Sequence, residues 1–281
     1  MNGVLLINKE KGITSSDVVV RLKHILNTKK VGHTGTLDPL AEGLMLVTVG
    51  KATKISNLLT EKYKEYIATF ELGYQTDTYD TEGKVINKSD KVVEKDEIIK
   101  VINSYKKSYL QEVPIYSSVK VNGKKLYEYA RNNIEVELPK REVEIKDIEI
   151  LSIEENKVVI KTFVSKGTYI RSLINDIGMS LETYATMTDL IRTKVDKYNL
   201  EDAYTLEDVE ENNYKLLSIE EVLDYPKIEL SDELYKKVSN GVKISNDYNI
   251  NDKVILKYNN HLVAIYEEKD NNLIPFIVFN L

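Results

Sequence analysis

Asp38 sits in Gly32-His33-Thr34-Gly35-Thr36-Leu37-Asp38-Pro39-Leu40-Ala41-Glu42-Gly43, an acid placed before a proline and framed by three glycines. Glycine permits positive φ and close approach of a ligand to the backbone, while Pro39 fixes its own φ and pushes Asp38 toward extended conformations. The carboxylate therefore leaves the chain at a nearly fixed angle. The chemistry open to it is nucleophilic attack, which requires an ionised and positioned group; a rigid turn and a nearby cation favour both. From spacing alone, a plain structural turn reads equally well.

Other chemistries lack their residues. Gly50-Lys51 has Met45 where a phosphate-cradling loop needs its first glycine and Ala52 where it needs a hydroxyl, so a nucleoside triphosphate has no cradle. Asp77 to Gly83 lacks the residue order of a calcium loop, and no Gly-x-Ser-x-Gly elbow is present. There is no cysteine, and His24, His33 and His261 are the only histidines. Disulfides and thiolate metal sites are excluded, a reducing cytosol is the natural setting, and no cofactor or metal is expected.

The elements that must position Asp38 follow from hydrophobic spacing. The apolar run Gly3 to Ile7 predicts a first strand, and Ser15-Ser16-Asp17 supply cap candidates for a helix carrying Val18, Leu22, Ile25 and Leu26. Alternation over 66–72 places Tyr66, Ala68, Phe70 and Leu72 on one face of a strand. Val143 to Ser152 and Lys157 to Val164 read as a hairpin joined through Glu154-Glu155-Asn156. Ile170, Leu173, Ile174, Ile177 and Leu181 describe an amphipathic helix with Tyr169 and Arg171 at its entrance. Strands and helices without regular alternation predict an α+β fold with a mixed sheet flanked by helices. The acidic stretch running to Asp224, then Tyr225-Pro226, interrupts the core-forming pattern and marks a boundary. Beyond it, 254–258, 262–266 and 274–279 predict a short all-β tail.

The chain has 281 residues, 42% of them hydrophobic, enough for one large domain and a small one. No run approaches a membrane span, and the N-terminus has no signal-type core, so a soluble cytoplasmic protein is expected. The net charge of −6 is unevenly spread. Residues 1–60 hold eight lysines and arginines against four acids, whereas 201–225 hold nine acids against Lys215 alone. A local basic face, not the total, is what meets phosphates. The segment 120–131 interleaves Lys120, Lys124, Lys125 and Arg131 with Tyr127 and Tyr129, a mixture suited to phosphate contact and base stacking.

The Asp38 loop, followed by Gly50-Lys51-Ala52-Thr53-Lys54, resembles the catalytic loop of the TruB family of tRNA pseudouridine-55 synthases. The resemblance extends through Asn2 to Lys9, Leu72 to Thr78, Gly123 to Arg131 and Ser165 to Arg171, in one order across most of the chain. Leu190-Ile191-Arg192-Thr193 departs from the family's Leu-Arg-Arg, and the last third matches loosely. The resemblance implies a cofactor-free isomerase acting on a uridine in the tRNA T loop, with Asp38 as nucleophile and Arg171 as its cation. Tyr66 and Tyr169 would wall the flipped base, Tyr66 also serving as a general base, alone or through water, with Leu190 lining the uracil pocket. His33 would contact RNA, as would Lys51, Lys54, Lys120, Lys124, Lys125 and Arg131. A catalytic domain of 1–225 and a PUA-like RNA-binding domain of 226–281 are implied. So are tRNA as partner, no membrane or obligatory protein partner, and a monomer. The alternative is an RNA-binding module that refolds tRNA, with catalysis secondary.

Overall fold

A computed structural model describes residues 1–279. The elements that carry the cleft are β1 (Gly3–Lys9), α1 (Ser15–Ile25), β2 (Val31–His33), β3 (Glu42–Val49), β4 (Lys64–Leu72), β5 (Ser108–Glu112), β6 (Lys140–Glu154), β7 (Lys157–Val164), α2 (Ile170–Ser180), β8 (Ala185–Val195) and β9 (Tyr198–Asn199). Their strands form one mixed sheet in the order β1-β3-β8-β4-β7-β6-β5, with β2 paired to β3 and β9 to β8. Only the β3–β8 pairing is parallel, at Ile191↔Glu42 and Arg192↔Gly43. That pairing sets Arg192 beside the end of the Asp38 loop.

Continuous apolar runs in β1 and β3 are explained by burial on both faces of the sheet. Leu5, Ile7, Met45 and Val47 face a core shared with Val18 and Leu22 of α1 and Leu173, Ile174 and Ile177 of α2. Val4, Leu6, Leu44 and Leu46 face the other way. β4 alternates as predicted, with Tyr66, Ala68, Phe70 and Leu72 buried and the strand starting earlier, at Lys64. The β6–β7 hairpin is present with a longer first strand, and Glu155 takes φ 53 at the turn. The cap of α1 is Thr14 rather than the serines: its side chain accepts from Asp17 N–H, and Asp17 answers at the Thr14 N–H, a capping box.

The acidic stretch is not a break in the core. Tyr204 bonds to Leu6 and Asn8, and Leu217 exchanges two backbone bonds with Val4, so the segment runs along the edge of β1. Leu206, Val209, Ile219, Val222 and Leu223 are buried beneath it. Counting charge overlooked short helices at Leu206–Glu210 and Ile219–Val222, each with its own capping box, and Glu220 of the second pairs with Lys257 at 3.0 Å.

After Pro226 comes a second sheet of β10 (Lys227–Glu229), β11 (Ile244–Ser245), β12 (Lys253–Tyr258), β13 (His261–Lys269) and β14 (Asn272–Val278), ordered β10-β12-β13-β14-β11. The tail is β-rich but not all β, because a helix at Asp232–Val238, capped by Ser231, packs on it. Ile255, Ile265 and Phe279 share one apolar cluster with Val4, Leu6, Leu44 and Ile55. A chain ended after Tyr225 would expose that cluster. Its thermal midpoint is expected to fall by about 10 °C or more, or the protein to aggregate; calorimetry of the truncated chain checks this. Among the described residues, no helix is long and apolar enough to cross a membrane.

Candidate active site

Antiparallel β2 and β3 launch and recover the Asp38 loop, and side chains from distant elements hold it. Ser15, at the first turn of α1, is buried and bonds Leu37 twice: its Oγ donates to the Leu37 carbonyl at 2.9 Å and accepts the Leu37 N–H at 2.8 Å. The Gly12 N–H donates to Pro39 O at 2.8 Å, and Ala41 N–H closes a turn on Asp38 O at 3.1 Å. From below, the buried Arg192 guanidinium donates to Leu44 O at 2.5 Å and Gly35 O at 3.1 Å. The three glycines serve different ends. Gly43 alone takes a positive φ, of 111°, with the Arg192 backbone against it; Gly35 instead leaves room for Arg192 Nη1, 3.3 Å from where a Cβ would lie.

Asp38 meets Arg171 as the sequence implied, Oδ2 lying 3.0 Å from Nε. Far from being a surface residue, Arg171 has a side chain only 6% exposed, against 34% for Asp38. Its remaining donors go to Thr78 O and Tyr116 O, each at 3.0 Å, and to Asp80 Oδ2 at 3.4 Å. Asp80 gives no sequence signal of its own, lying in the Asp77 to Gly83 segment that lacks the order of a calcium loop. Its side chain is 3% exposed, and burial raises its pKa against the opposing pull of Thr78 and Arg171. One guanidinium thus serves two carboxylates, of which only Asp38 opens to solvent.

The ion pair lies in a cleft of about 820 Å³, a volume suited to a nucleotide-sized guest. His33, Tyr66, Tyr169, Leu190, Lys125 and Tyr127 line it with Asp38 and Arg171. Tyr66 and Leu190 come from adjacent strands, the register pairing Leu190 with Ala68 and Arg192 with Tyr66. Burial, with Arg192 nearby, lowers the His33 pKa, so His33 is neutral at neutral pH and suits contact with a base rather than with a phosphate.

The basic candidates divide. Lys125 and Arg131 both stack on the Tyr127 ring, at 5.3 Å from its centroid, and Lys125 reaches the cleft mouth. Lys120 and Lys124 stand exposed on the short hairpin before them. Lys51 lies apart on the turn after β3, its backbone N–H bonded to Asn2. Lys54 is committed elsewhere: its ammonium donates to Val278 O at 2.7 Å and faces Phe279, tying the second sheet to the first.

Sequence reasoning missed the buried cations around the loop. Lys9 donates to the Glu10 and Ile13 carbonyls, both at 2.8 Å, and Lys64 to Thr60 O at 2.9 Å and Lys62 O at 2.6 Å. Both are pushed down to about 8 by burial, with Asp38 opposing the shift at Lys9 and Arg192 adding to it at Lys64. Between that value and an unfolded pKa near 10.5, the unfolded chain binds more protons, so stability rises with pH. From pH 7.5 to 9.5 each lysine is expected to add about 1–2 kcal/mol. Urea midpoints at both pH values should show a rise that the Lys9→Met, Lys64→Met double variant lacks.

Residues 23–170 match the family described as TruB family pseudouridylate synthase (N terminal domain), and 171–225 match the tRNA pseudouridylate synthase B C-terminal domain. The chain belongs to the TruB family. A tRNA pseudouridine synthase B of Fusobacterium nucleatum is 48% identical over 283 residues, covering 98% of each chain. The protein of that name from Clostridium kluyveri is 42% identical, covering 96% of each. Among solved structures, a chain of an H/ACA RNP bound to a substrate RNA containing 2′-deoxyuridine superposes with a TM-score of 0.72 at 26% identity, over 99% of this chain and 84% of that one. A Cbf5-Nop10-Gar1 complex gives 0.72 at 27% identity. The TruB membership covers both halves of the cleft, since the first match holds Asp38, Tyr66 and Tyr169 and the second holds Arg171 and Leu190.

Proposed function

We propose that this TruB-family chain isomerises a uridine of the tRNA T loop, position 55, to pseudouridine, with Asp38 as nucleophile. The observation that carries the reading is the Asp38–Arg171 pair, 3.0 Å apart at the floor of a cleft walled by Tyr66 and Tyr169. A uridine stacked in a loop reaches Asp38 only by flipping out, at a cost of a few kcal/mol that two aromatic walls offset. The carboxylate then bonds to carbon 6 of the uracil or carbon 1′ of the ribose. The N1–C1′ bond breaks, the base turns, C5 bonds to C1′, the bond to Asp38 breaks, the C5 proton leaves, and N1 takes up a proton. Both routes need the same carboxylate, and Arg171 supports its charge in each.

Tyr66, which lines the cleft, would receive the C5 proton directly or through water. Tyr66→Phe keeps the ring and deletes the hydroxyl, so the single-turnover rate is expected to fall roughly 10²-fold with RNA binding retained. A rate near the parent's would leave Tyr66 as a wall only. Tritium release from a T-arm stem-loop carrying 5-³H-uridine tests the whole reading: release at that uridine and nowhere else supports it. Tight binding without release would favour tRNA refolding instead.

We further propose 1–225 as the catalytic domain and 226–281 as a PUA-like RNA-binding domain that also completes the core. Lys51, Lys120, Lys124, Lys125 and Arg131 would meet phosphates of the T arm, with His33 against the flipped nucleotide. A cytoplasmic monomer acting on tRNA without a protein partner completes the proposal.

A further inference from the structure

Tyr169 owes its place to a side chain on a distant strand. Gln111 of β5 is 1% exposed, and its amide brackets the Tyr169 backbone. The Tyr169 N–H donates to Gln111 Oε1 at 2.8 Å, and Gln111 Nε2 donates to the Tyr169 carbonyl at 3.1 Å. That carbonyl also accepts the Leu173 N–H at 3.0 Å as the first bond of α2, so both its lone pairs are filled. An amide turned end for end would oppose oxygen to oxygen and N–H to N–H. Tyr109 fixes its direction: Gln111 Nε2 donates to the Tyr109 hydroxyl at 2.7 Å, and that hydroxyl donates to Asp176 Oδ2 at 3.1 Å. A hydroxyl that gives its proton to a carboxylate can only accept from Gln111.

We propose that Gln111 is a positioning residue for the isomerisation, setting the angle of the Tyr169 ring against the flipped base, with Tyr109 and Asp176 fixing the direction of the Gln111 amide. The proposal rests on the reading of the cleft as the uridine site. Tyr169 is the N-cap of α2, with extended φ −98 and ψ 113 and no side-chain cap bond. The backbone from which the ring projects is thus bracketed by the Gln111 amide and the Leu173 N–H rather than held by a side-chain cap. Arg171 is held separately, through Thr78 O and Tyr116 O, and Ser172 Oγ donates to Glu112 O at 2.9 Å. Loss of the Gln111 bonds thus acts on the tyrosine wall and spares the ion pair.

The test is a double-mutant cycle in single turnover on the T-arm stem-loop. Gln111→Met keeps the buried volume and removes every bond; its rate is expected to fall about 10- to 100-fold, with the Kd for RNA within about threefold. In a Tyr169→Ala background the same change should cost less than about threefold, because the ring it positions is gone. A merely structural role would give equal losses in both backgrounds, and that result, or an unchanged rate in the parent, overturns the proposal. Should Gln111→Met fail to fold, Tyr109→Phe carries the same cycle, with an expected loss of about fivefold that vanishes with Tyr169→Ala. Tritium release by the parent chain, measured alongside, separates failure of the uridine reading from failure of this one.

Discussion

Asp38→Asn is expected to bind the T-arm stem-loop with about the parent's affinity and to release no measurable tritium. The substitution keeps the size of the side chain and an oxygen able to accept from Arg171 Nε, so loop geometry survives. It removes the charge that makes the group a nucleophile. The fall should exceed roughly 10⁴-fold in single turnover, because the remaining residues position the uridine but none replaces the bond that Asp38 makes. Stability should move little, as the Asp38 side chain is one-third exposed and its ion pair is partly solvated. Pro39 also protects the test. Deamidation of an asparagine closes a ring through the next residue's N–H, and Pro39 has none, so slow reversion to aspartate is blocked. Circular dichroism would confirm the fold, and turnover within 10²-fold of the parent would remove Asp38 as nucleophile.

How much of this was legible in the sequence depended on the distance over which each residue acts. Asp38, Tyr169 and Arg171 each sit inside a contiguous motif, Leu190 in a segment that departs from the family's wording and Tyr66 on an alternating strand, so the resemblance names all five as candidates without knowing the fold. The strand alternation at Tyr66 to Leu72 and the helical spacing of Ile170 to Leu181 are local, and both elements are present. The residues that hold the site together are not local. Arg192 reaches Gly35 across 157 positions, Gln111 reaches Tyr169 across 58, and Ser15 reaches Leu37 across 22. In the sequence each is an ordinary polar residue on a strand or a helix start. Charge counting is blind for the same reason: Lys54, one of the eight cations of residues 1–60, is bound to Val278 O, 224 positions away.

Removing Arg171 should damage folding and chemistry by separate routes, and a second substitution should divide them. Arg171→Met leaves Asp80, with its side chain 3% exposed, without its guanidinium, and the cost is expected to be about 3–5 kcal/mol near neutral pH. Burial already raises the Asp80 pKa, and loss of the cation raises it further. A carboxyl with a folded pKa above its unfolded value binds its proton more tightly when folded. The destabilisation should therefore shrink as pH falls from 7 toward 5 and deepen as pH rises. Arg171→Met with Asp80→Asn takes away the buried charge that lacks a partner, while Thr78 and the Glu82 N–H still have an oxygen to bond. Urea midpoints of the double variant should recover most of the loss and lose the pH dependence. Activity should not recover in either chain: without Arg171 next to Asp38, the single-turnover rate is expected to stay roughly 10³-fold or more below the parent. If the double variant regained both stability and rate, Arg171 would be a structural partner of Asp80 and nothing more. If it regained stability alone, the guanidinium that pairs with Asp38 would be shown to act on the reacting group itself.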